Sequence, residues 1–131
     1  MIVDELDLTK YNGEESRIES LIDDILVLRT PDKMMEGILS LLTDTVAALP
    51  QVGAYYTFGY QAKTPRIRYD KHPLIACTGV YEWGFTGLNY HWGDFRKYTF
   101  EELITNPYLV YPSELRDLRL IPYQDITINR S

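Results

Sequence analysis

The chain has 131 residues, of which 45% are hydrophobic and 24% are charged. This composition excludes a wholly disordered protein and is sufficient for one core. The formal net charge of −6 argues against non-specific DNA or RNA binding, because such proteins present a basic surface to phosphates. Cys77 is the only cysteine, which excludes an intramolecular disulfide. The sequence has neither the apolar run of roughly 20 residues that spans a membrane nor a secretory signal, so we expect a domain made in a cytoplasm.

Charge and aromatic content divide the chain into parts. Residues 1–50 carry eleven Asp or Glu against four Lys or Arg, a balance of −7, whereas residues 51–131 carry eight against nine, a balance of +1. Sixteen of the 17 aromatic residues lie in the second part. We predict a single domain over residues 1–131, with an arm at 1–12, a helical hairpin at 13–50 and a β-rich, barrel-like part at 51–131.

Two amphipathic stripes predict the helical hairpin. The first helix is predicted to begin at about Gly13, and its apolar positions recur every three or four residues: Ile18, Leu21, Ile22, Ile25 and Leu28. Thr30 can cap a second helix that starts at Pro31 and runs to about Leu49. Gly37 lies inside this second helix and favours the close approach of another backbone.

The second part is predicted to contain short strands, because aromatic residues favour strands and glycines permit bends. The five predicted strands are residues 54–60, 74–81, 85–92, 108–111 and 126–129. Thr99 and Ser113 are predicted to cap two short helices. The predicted fold class is α+β: an N-terminal αα-hairpin packed on a small, strongly bent antiparallel sheet or SH3-like barrel.

A basic loop between the first two predicted strands is the densest polar cluster. Its candidate partner-binding residues are Lys63, Arg66, Arg68, Tyr69, Lys71 and His72. Cations this close together can bind phosphate, carboxylate or an acidic protein surface. The alternative is a solvated loop that pairs with the acidic helices of the same chain.

No complete catalytic or cofactor motif can be read in the sequence. The residues that could bind a metal lack the short paired spacing of zinc ligands; they are Asp70, His72, Cys77, His91 and Asp94. Cys77 lies in an apolar run at 74–77 and is predicted to be an inert packing residue. We therefore expect no metal, no cofactor and no enzymatic activity.

Residues 83–92 form the most distinctive segment. Strand alternation places one set of side chains on the same face: Phe85, Gly87, Asn89 and His91. An exposed aromatic face would bind a protein or stack on bases. We favour the alternative, a central strand in which Asn89 and His91 are satisfied inside the protein.

Three elements of the sequence carry a family resemblance. They are Tyr56-x-Phe58-x-Tyr60-x-x-Lys63, then Asp70-Lys71-His72-Pro73-Leu74, then Gly87-Leu88-Asn89-Tyr90-His91-Trp92 with Arg96. In these elements, about a third of its length, the chain resembles small uncharacterised proteins of tailed bacteriophages, including T4-like phages of cyanobacteria. The resemblance implies a virion or assembly protein of the tail, baseplate or neck, made in the host cytoplasm. It would bind other phage structural proteins or further copies of itself.

A second resemblance concerns the start of the β-rich part. Gly53, the basic loop with Arg66 and Arg68, and a strand that starts at Pro73 resemble the opening of toxin ribonucleases with an SH3-like barrel. This resemblance implies a nucleic-acid-binding or ribonuclease-like barrel that works through Arg66, Arg68, His72 and His91. The chain departs from that pattern because it lacks a clear Ser or Thr partner and is acidic. A third interpretation is a host-takeover protein that binds one cellular partner.

Overall fold

The structure, a computed structural model, describes residues 13–28, 30–61, 72–90 and 93–119. It contains helices and an antiparallel sheet, which confirms the α+β class. The predicted arm, most of the basic loop and the predicted strand at 126–129 lie outside the described residues. No helix of the described part has the length and apolar character that crossing a bilayer requires.

The first helical segment is shorter than its apolar stripe predicts. A 3-10 turn at Glu19–Leu21 leads into helix α1, Ile22–Leu26. The predicted start at Gly13 is wrong. The hydroxyl of Ser16 accepts hydrogen bonds from the backbone N–H groups two and three residues later, each at 3.0 Å. A side chain that binds these N–H groups starts a helical segment and leaves the preceding residues outside it.

Helix α2, Pro31–Leu41, packs against α1. Its cap is as predicted, since the side chain of Thr30 accepts a hydrogen bond from the backbone N–H three residues later at 3.2 Å. At Gly37 the close neighbours are side chains and not the predicted backbone. A Cβ there would lie 3.6 Å from Cδ1 of Leu28 and 3.7 Å from Cδ1 of Ile25, which are ordinary packing distances.

The predicted continuation of α2 to about Leu49 is wrong. A 3-10 turn follows at Thr43–Thr45, and Val46 then pairs with Tyr108 in an antiparallel bridge. Leu49, which the stripe places in the core, is 61% exposed. The chain leaves the helical path because this pairing draws it along one edge of the sheet.

Five strands of the described chain form one antiparallel sheet in the order β4-β3-β2-β1-β5. They are β1 Tyr55–Thr57, β2 Leu74–Val80, β3 Gly84–Asn89, β4 Phe95–Thr99 and β5 Tyr108–Val110. Within the described residues the sheet is open, with β4 and β5 at its edges, so it is not a closed barrel. β4 is not among the predicted strands.

Two hydrophobic clusters lie on opposite faces of this sheet. Leu74 and Val110 belong to one cluster and their chain neighbours Ile75 and Leu109 to the other, as strand alternation requires. The helix-side face is covered near β1 and β5 by buried residues of the helical part: Ile18, Ile25, Met34, Met35, Ile38 and Leu42. The predicted packing of the hairpin on the sheet is therefore confirmed.

The opposite, aromatic-side face is filled by rings that meet edge to face. The centroid of Phe58 lies 5.4 Å from that of Phe85 and 5.3 Å from that of Tyr98. This geometry places the positive edge of one ring on the negative face of another. The amide of Asn89 donates to the hydroxyl of Tyr98 at 2.9 Å. The predicted internal satisfaction of Asn89 is thus confirmed.

A 3-10 turn at Phe100–Glu102 replaces the short helix predicted after Thr99. The carboxylate of Glu102 accepts hydrogen bonds from the hydroxyls of Thr99 and Tyr60, each at 2.7 Å. The backbone N–H of Thr99 donates in turn to the hydroxyl of Tyr60 at 3.1 Å. These bonds anchor the C-terminal end of β4.

The last described helix begins with a 3-10 turn, Pro112–Glu114, and continues as α3, Leu115–Arg119. The prediction that Ser113 caps it is wrong. Tyr111 is the N-cap residue, and the hydroxyl of Ser113 donates to the backbone oxygen of Glu14 at 2.8 Å. A distant segment therefore takes the side chain that local sequence assigns to the cap.

Candidate protein-binding surface

Arg17 makes a dense set of polar contacts between the first helical segment and the rest of the chain. Its Nε and Nη2 donate to the two carboxylate oxygens of Glu114 at 2.8 and 2.9 Å. Its Nη1 donates to Asp44 at 3.0 Å and to the hydroxyl of Thr45 at 2.8 Å. Burial lowers the pKa of Arg17, but the hydrogen bonds and charge of Glu114 outweigh it, so the pKa is raised overall.

The carboxylates around Arg17 serve the fold. Glu114 is fully buried and also accepts hydrogen bonds from the backbone N–H groups of Arg17, at 2.7 Å, and Tyr111, at 2.8 Å. Asp117 is buried and accepts the hydroxyl of Ser16 at 2.6 Å. Buried carboxylates with partners inside the chain are typical of structural networks. We assign these contacts a structural role: they hold α3 against the first helical segment.

The groups considered for chemistry give no assembled reactive site among the described residues. Cys77 is buried, as predicted for a packing residue, and burial raises the pKa of its thiol. Within the described ranges, no three His, Cys, Asp or Glu residues lie together as a metal site would require. His91 and Asp70, two of the residues that could bind a metal, are outside those ranges.

The basic loop is mostly outside the described part of the chain. His72 is the one candidate binding residue there that the structure describes; it is partly buried, just before β2. Lys63, Arg66, Arg68, Tyr69 and Lys71 lie outside. Whether this loop binds a ligand or pairs with the acidic helices therefore stays a prediction.

The helices leave part of the helix-side face uncovered on β2, β3 and β4. We call this part the open sheet face: Thr78, Tyr81, Trp83, Thr86, Leu88, Phe95 and Lys97. Strand register places Leu88 opposite Phe95 and Thr86 opposite Lys97. The hydroxyl oxygens of Thr78 and Thr86 lie 2.8 Å apart. Phe95 is 71% exposed, which makes it a large apolar side chain held on a strand and facing solvent.

Two aromatic rings form one end of the open sheet face. Tyr81 and Trp83 flank the turn between β2 and β3, and their rings stack at a centroid distance of 5.2 Å and an interplanar angle of 5°. Tyr81 is 49% exposed and Trp83 is 43% exposed. A Cβ at Gly79 would meet the Tyr81 hydroxyl oxygen at 2.5 Å and the Thr86 hydroxyl oxygen at 3.0 Å. The ring of Tyr81 thus lies on the same side of the sheet as Thr86.

Sequence reasoning missed this surface because it missed β4. Phe95-Arg96-Lys97-Tyr98-Thr99 has no regular alternation of apolar and polar residues, and its two adjacent cations are typical of a loop. A signal was present. Gly93 and Asp94 are turn-forming residues. They separate the strand predicted at 85–92 from three residues that favour strands, Phe95, Tyr98 and Thr99. That pattern predicts a hairpin.

Comparison of the chain with protein-family models, curated proteins and solved structures finds no match. The resemblance to phage proteins therefore stays a prediction from sequence.

Proposed function

We propose that this protein is a non-enzymatic structural or assembly protein of a tailed bacteriophage that acts through protein–protein contacts. The observation that carries the proposal is the open sheet face, which exposes Phe95 at one end and the Tyr81–Trp83 stack at the other. Aromatic residues are enriched where proteins bind each other, because they bury a large area at a small cost in side-chain entropy. Exposed rings at both ends of one sheet face are favourable for binding.

The phage assignment depends on the sequence resemblance. The direct test is mass spectrometry of purified particles of the phage that encodes the protein. We expect its peptides in stoichiometric amounts in the virion. Their absence, with the protein abundant in infected cells, would contradict a virion role and favour the host-takeover alternative.

The binding surface is tested by substitution of its aromatic side chains. Phe95→Ser and Trp83→Ser should each reduce incorporation into particles, because they remove exposed contact area and leave both cores intact. Val27→Ser is the matched control, since Val27 is 78% exposed on the opposite, helical part of the chain. If the control reduces incorporation as much as the two surface variants, the open sheet face is not the contact.

A nucleic-acid-binding protein is the second candidate, favoured by the exposed Tyr81–Trp83 stack on the same face of the sheet as Lys97. Base stacking on such rings would quench tryptophan fluorescence and weaken with salt. Titration with a single-stranded RNA of mixed sequence tests it, with Trp83→Phe as control for the origin of the signal. RNA binding that Lys97→Glu abolishes would favour this candidate over the first.

A further inference from the structure

We propose that the outer edge of β4 binds an extended, acidic segment of a partner protein by strand addition. The inference rests on the proposed protein-binding function and adds to it the mode of binding and the chemistry of the partner. In strand addition, backbone hydrogen bonds of the edge provide affinity and side chains provide specificity.

The register of β4 determines which of its backbone groups face outward. The N–H of Asn89 donates to the carbonyl of Asp94 at 2.8 Å, so Asp94 turns its backbone groups toward β3. Arg96 and Tyr98, two and four residues later, turn theirs the same way. In an antiparallel pair every second residue turns its N–H and C=O toward the neighbouring strand. The N–H and C=O groups of Phe95 and Lys97 therefore point away from β3, at the edge.

These edge groups are open within the described structure. Among the described residues, none forms a backbone hydrogen bond with the outward N–H or C=O of Phe95 or Lys97. The next outward N–H, that of Thr99, is bonded to the Tyr60 hydroxyl. The available edge is thus short and ends at the anchored 3-10 turn.

The other edge of the sheet is closed by the chain itself. The carbonyl of Leu109 in β5 accepts hydrogen bonds from Nη2 of Arg17 and from the hydroxyl of Thr45, both at 2.9 Å. The N–H of Ala47 donates to the carbonyl of Pro107 at 2.8 Å. Folded proteins usually protect sheet edges in this way, because open edges pair with other chains. That one edge is covered and the other open makes β4 the place for an added strand.

The side chains of β4 specify an acidic partner. Lys97 is exposed on the helix-side face of the strand, so an adjacent strand meets a cation there. A second copy of β4 paired antiparallel about its centre would place Lys97 opposite Lys97, or Arg96 opposite Arg96. Like charges directly opposite are destabilising. A segment with an acidic residue beside Lys97 and an apolar residue near Phe95 complements both the exposed cation and the exposed ring.

A synthetic peptide that repeats Asp-Asp-Val-Val, acetylated, amidated and fluorescently labelled, is the probe for this edge, because this repeat puts Asp and Val in turn on each face of a strand. We expect its anisotropy to rise on titration with the full chain, and the amides of Phe95 and Lys97 to become protected from hydrogen exchange. The matched peptide with Lys in place of Asp should bind at least about tenfold more weakly, because its charges repel. N-methylation of alternate peptide amides should abolish binding.

Variants of Lys97 separate the contribution of the side-chain charge to binding from that of the backbone N–H. Lys97→Glu should weaken the binding of the acidic peptide and strengthen the binding of the basic peptide. Lys97→Pro removes the outward N–H together with the charge, at a position where an edge strand accepts proline. Compared with Lys97→Gln, which removes the charge alone, it should weaken the binding of both peptides. Lys33→Glu is the control, because Lys33 is an exposed lysine on α2. Circular dichroism and thermal melting establish that each variant is folded.

The inference is overturned if the acidic peptide does not bind, or binds Lys97→Glu and Lys97→Pro as well as the parent protein. Light scattering that shows a dimer which Lys97→Pro dissociates would also overturn it, in favour of self-pairing. Failure of the proposed function is recognisable separately. Phe95→Ser and Trp83→Ser would then leave particle incorporation unchanged, whatever the peptide does.

Discussion

Arg17→Met tests the claim that the contacts of Arg17 hold the fold together. Methionine keeps an unbranched apolar stem and removes every guanidinium donor. The substitution leaves the backbone N–H of Arg17 on the Glu114 carboxylate. The main loss of stability should therefore come from the Glu114 carboxylate, whose negative charge loses its partner.

The structure indicates which lost contacts matter. The Glu114 side chain is 0% exposed, and a buried charge without its partner costs about 3–5 kcal/mol. The Asp44 side chain is 71% exposed, so its pair adds at most about 1 kcal/mol. The Leu109 carbonyl still accepts the hydrogen bond from the Thr45 hydroxyl, so it is not left unsatisfied. A loss of about 3–5 kcal/mol should lower the melting temperature by about 10–20 °C.

Urea unfolding and thermal melting, followed by circular dichroism, measure this loss. Arg116→Met is the matched control: Arg116 lies 3.8 Å from Glu19, with side chains 78% and 66% exposed, and should lose less than about 1 kcal/mol. Adding Glu114→Gln to Arg17→Met should destabilise by less than the sum of the two single changes, because the buried charge is gone. Equal losses in Arg17→Met and Arg116→Met would refute the reasoning.

Three further changes test the packing, a helix cap and the buried thiol. Gly87→Ala should cost about 1–3 kcal/mol in urea unfolding, because the new Cβ would lie 2.6 Å from Cδ1 of Ile75, whereas at Gly13 nothing lies within 4 Å and Ala should cost far less. Thr30→Ala should cost about 1 kcal/mol through the lost cap of α2, and an unchanged unfolding midpoint would show that the cap contributes nothing. Burial raises the pKa of the Cys77 thiol, so the folded protein keeps a proton that the unfolded chain releases, and stability should fall as pH rises above about 8.5. Cys77→Ala should flatten this fall below about pH 10, where tyrosines begin to ionise; a slope like that of the parent protein would contradict the assignment.

Local patterns predicted the helical part and four strands. The cap at Thr30 depends on atoms three residues apart, and the burial of Ile25 in α1 follows from helical periodicity, so neighbouring residues are sufficient to predict both. The end of α2 was mispredicted because its cause, the pairing of Val46 with Tyr108, lies 62 residues away in sequence. The apolar stripe of a helix contains no information about a strand-pairing partner so far away in sequence.

The candidate site shows the same limit more strongly. The sequence directed attention to the cations of the basic loop, whereas the described surface with a physical case for binding is built around β4. Phe95 resembles a loop residue until its register opposite Leu88 is known. Exposure of an aromatic side chain is a property of the neighbours that fail to cover it, and those neighbours come from other strands.

The sequence by itself determined the α+β class, the acidic first part, the cap of α2 and part of the apolar stripes that form the helix-side core, because composition and periodicity act over a few residues. Tertiary structure decided which sheet edge is covered and which is open. Arg17 closes the β5 edge through Leu109, 92 residues away, while β4 receives no comparable partner among the described residues. Hydrogen bonds over such separations depend on where the chain folds back. The outward N–H of Lys97 becomes a candidate binding group only once the arrangement of the strands is known.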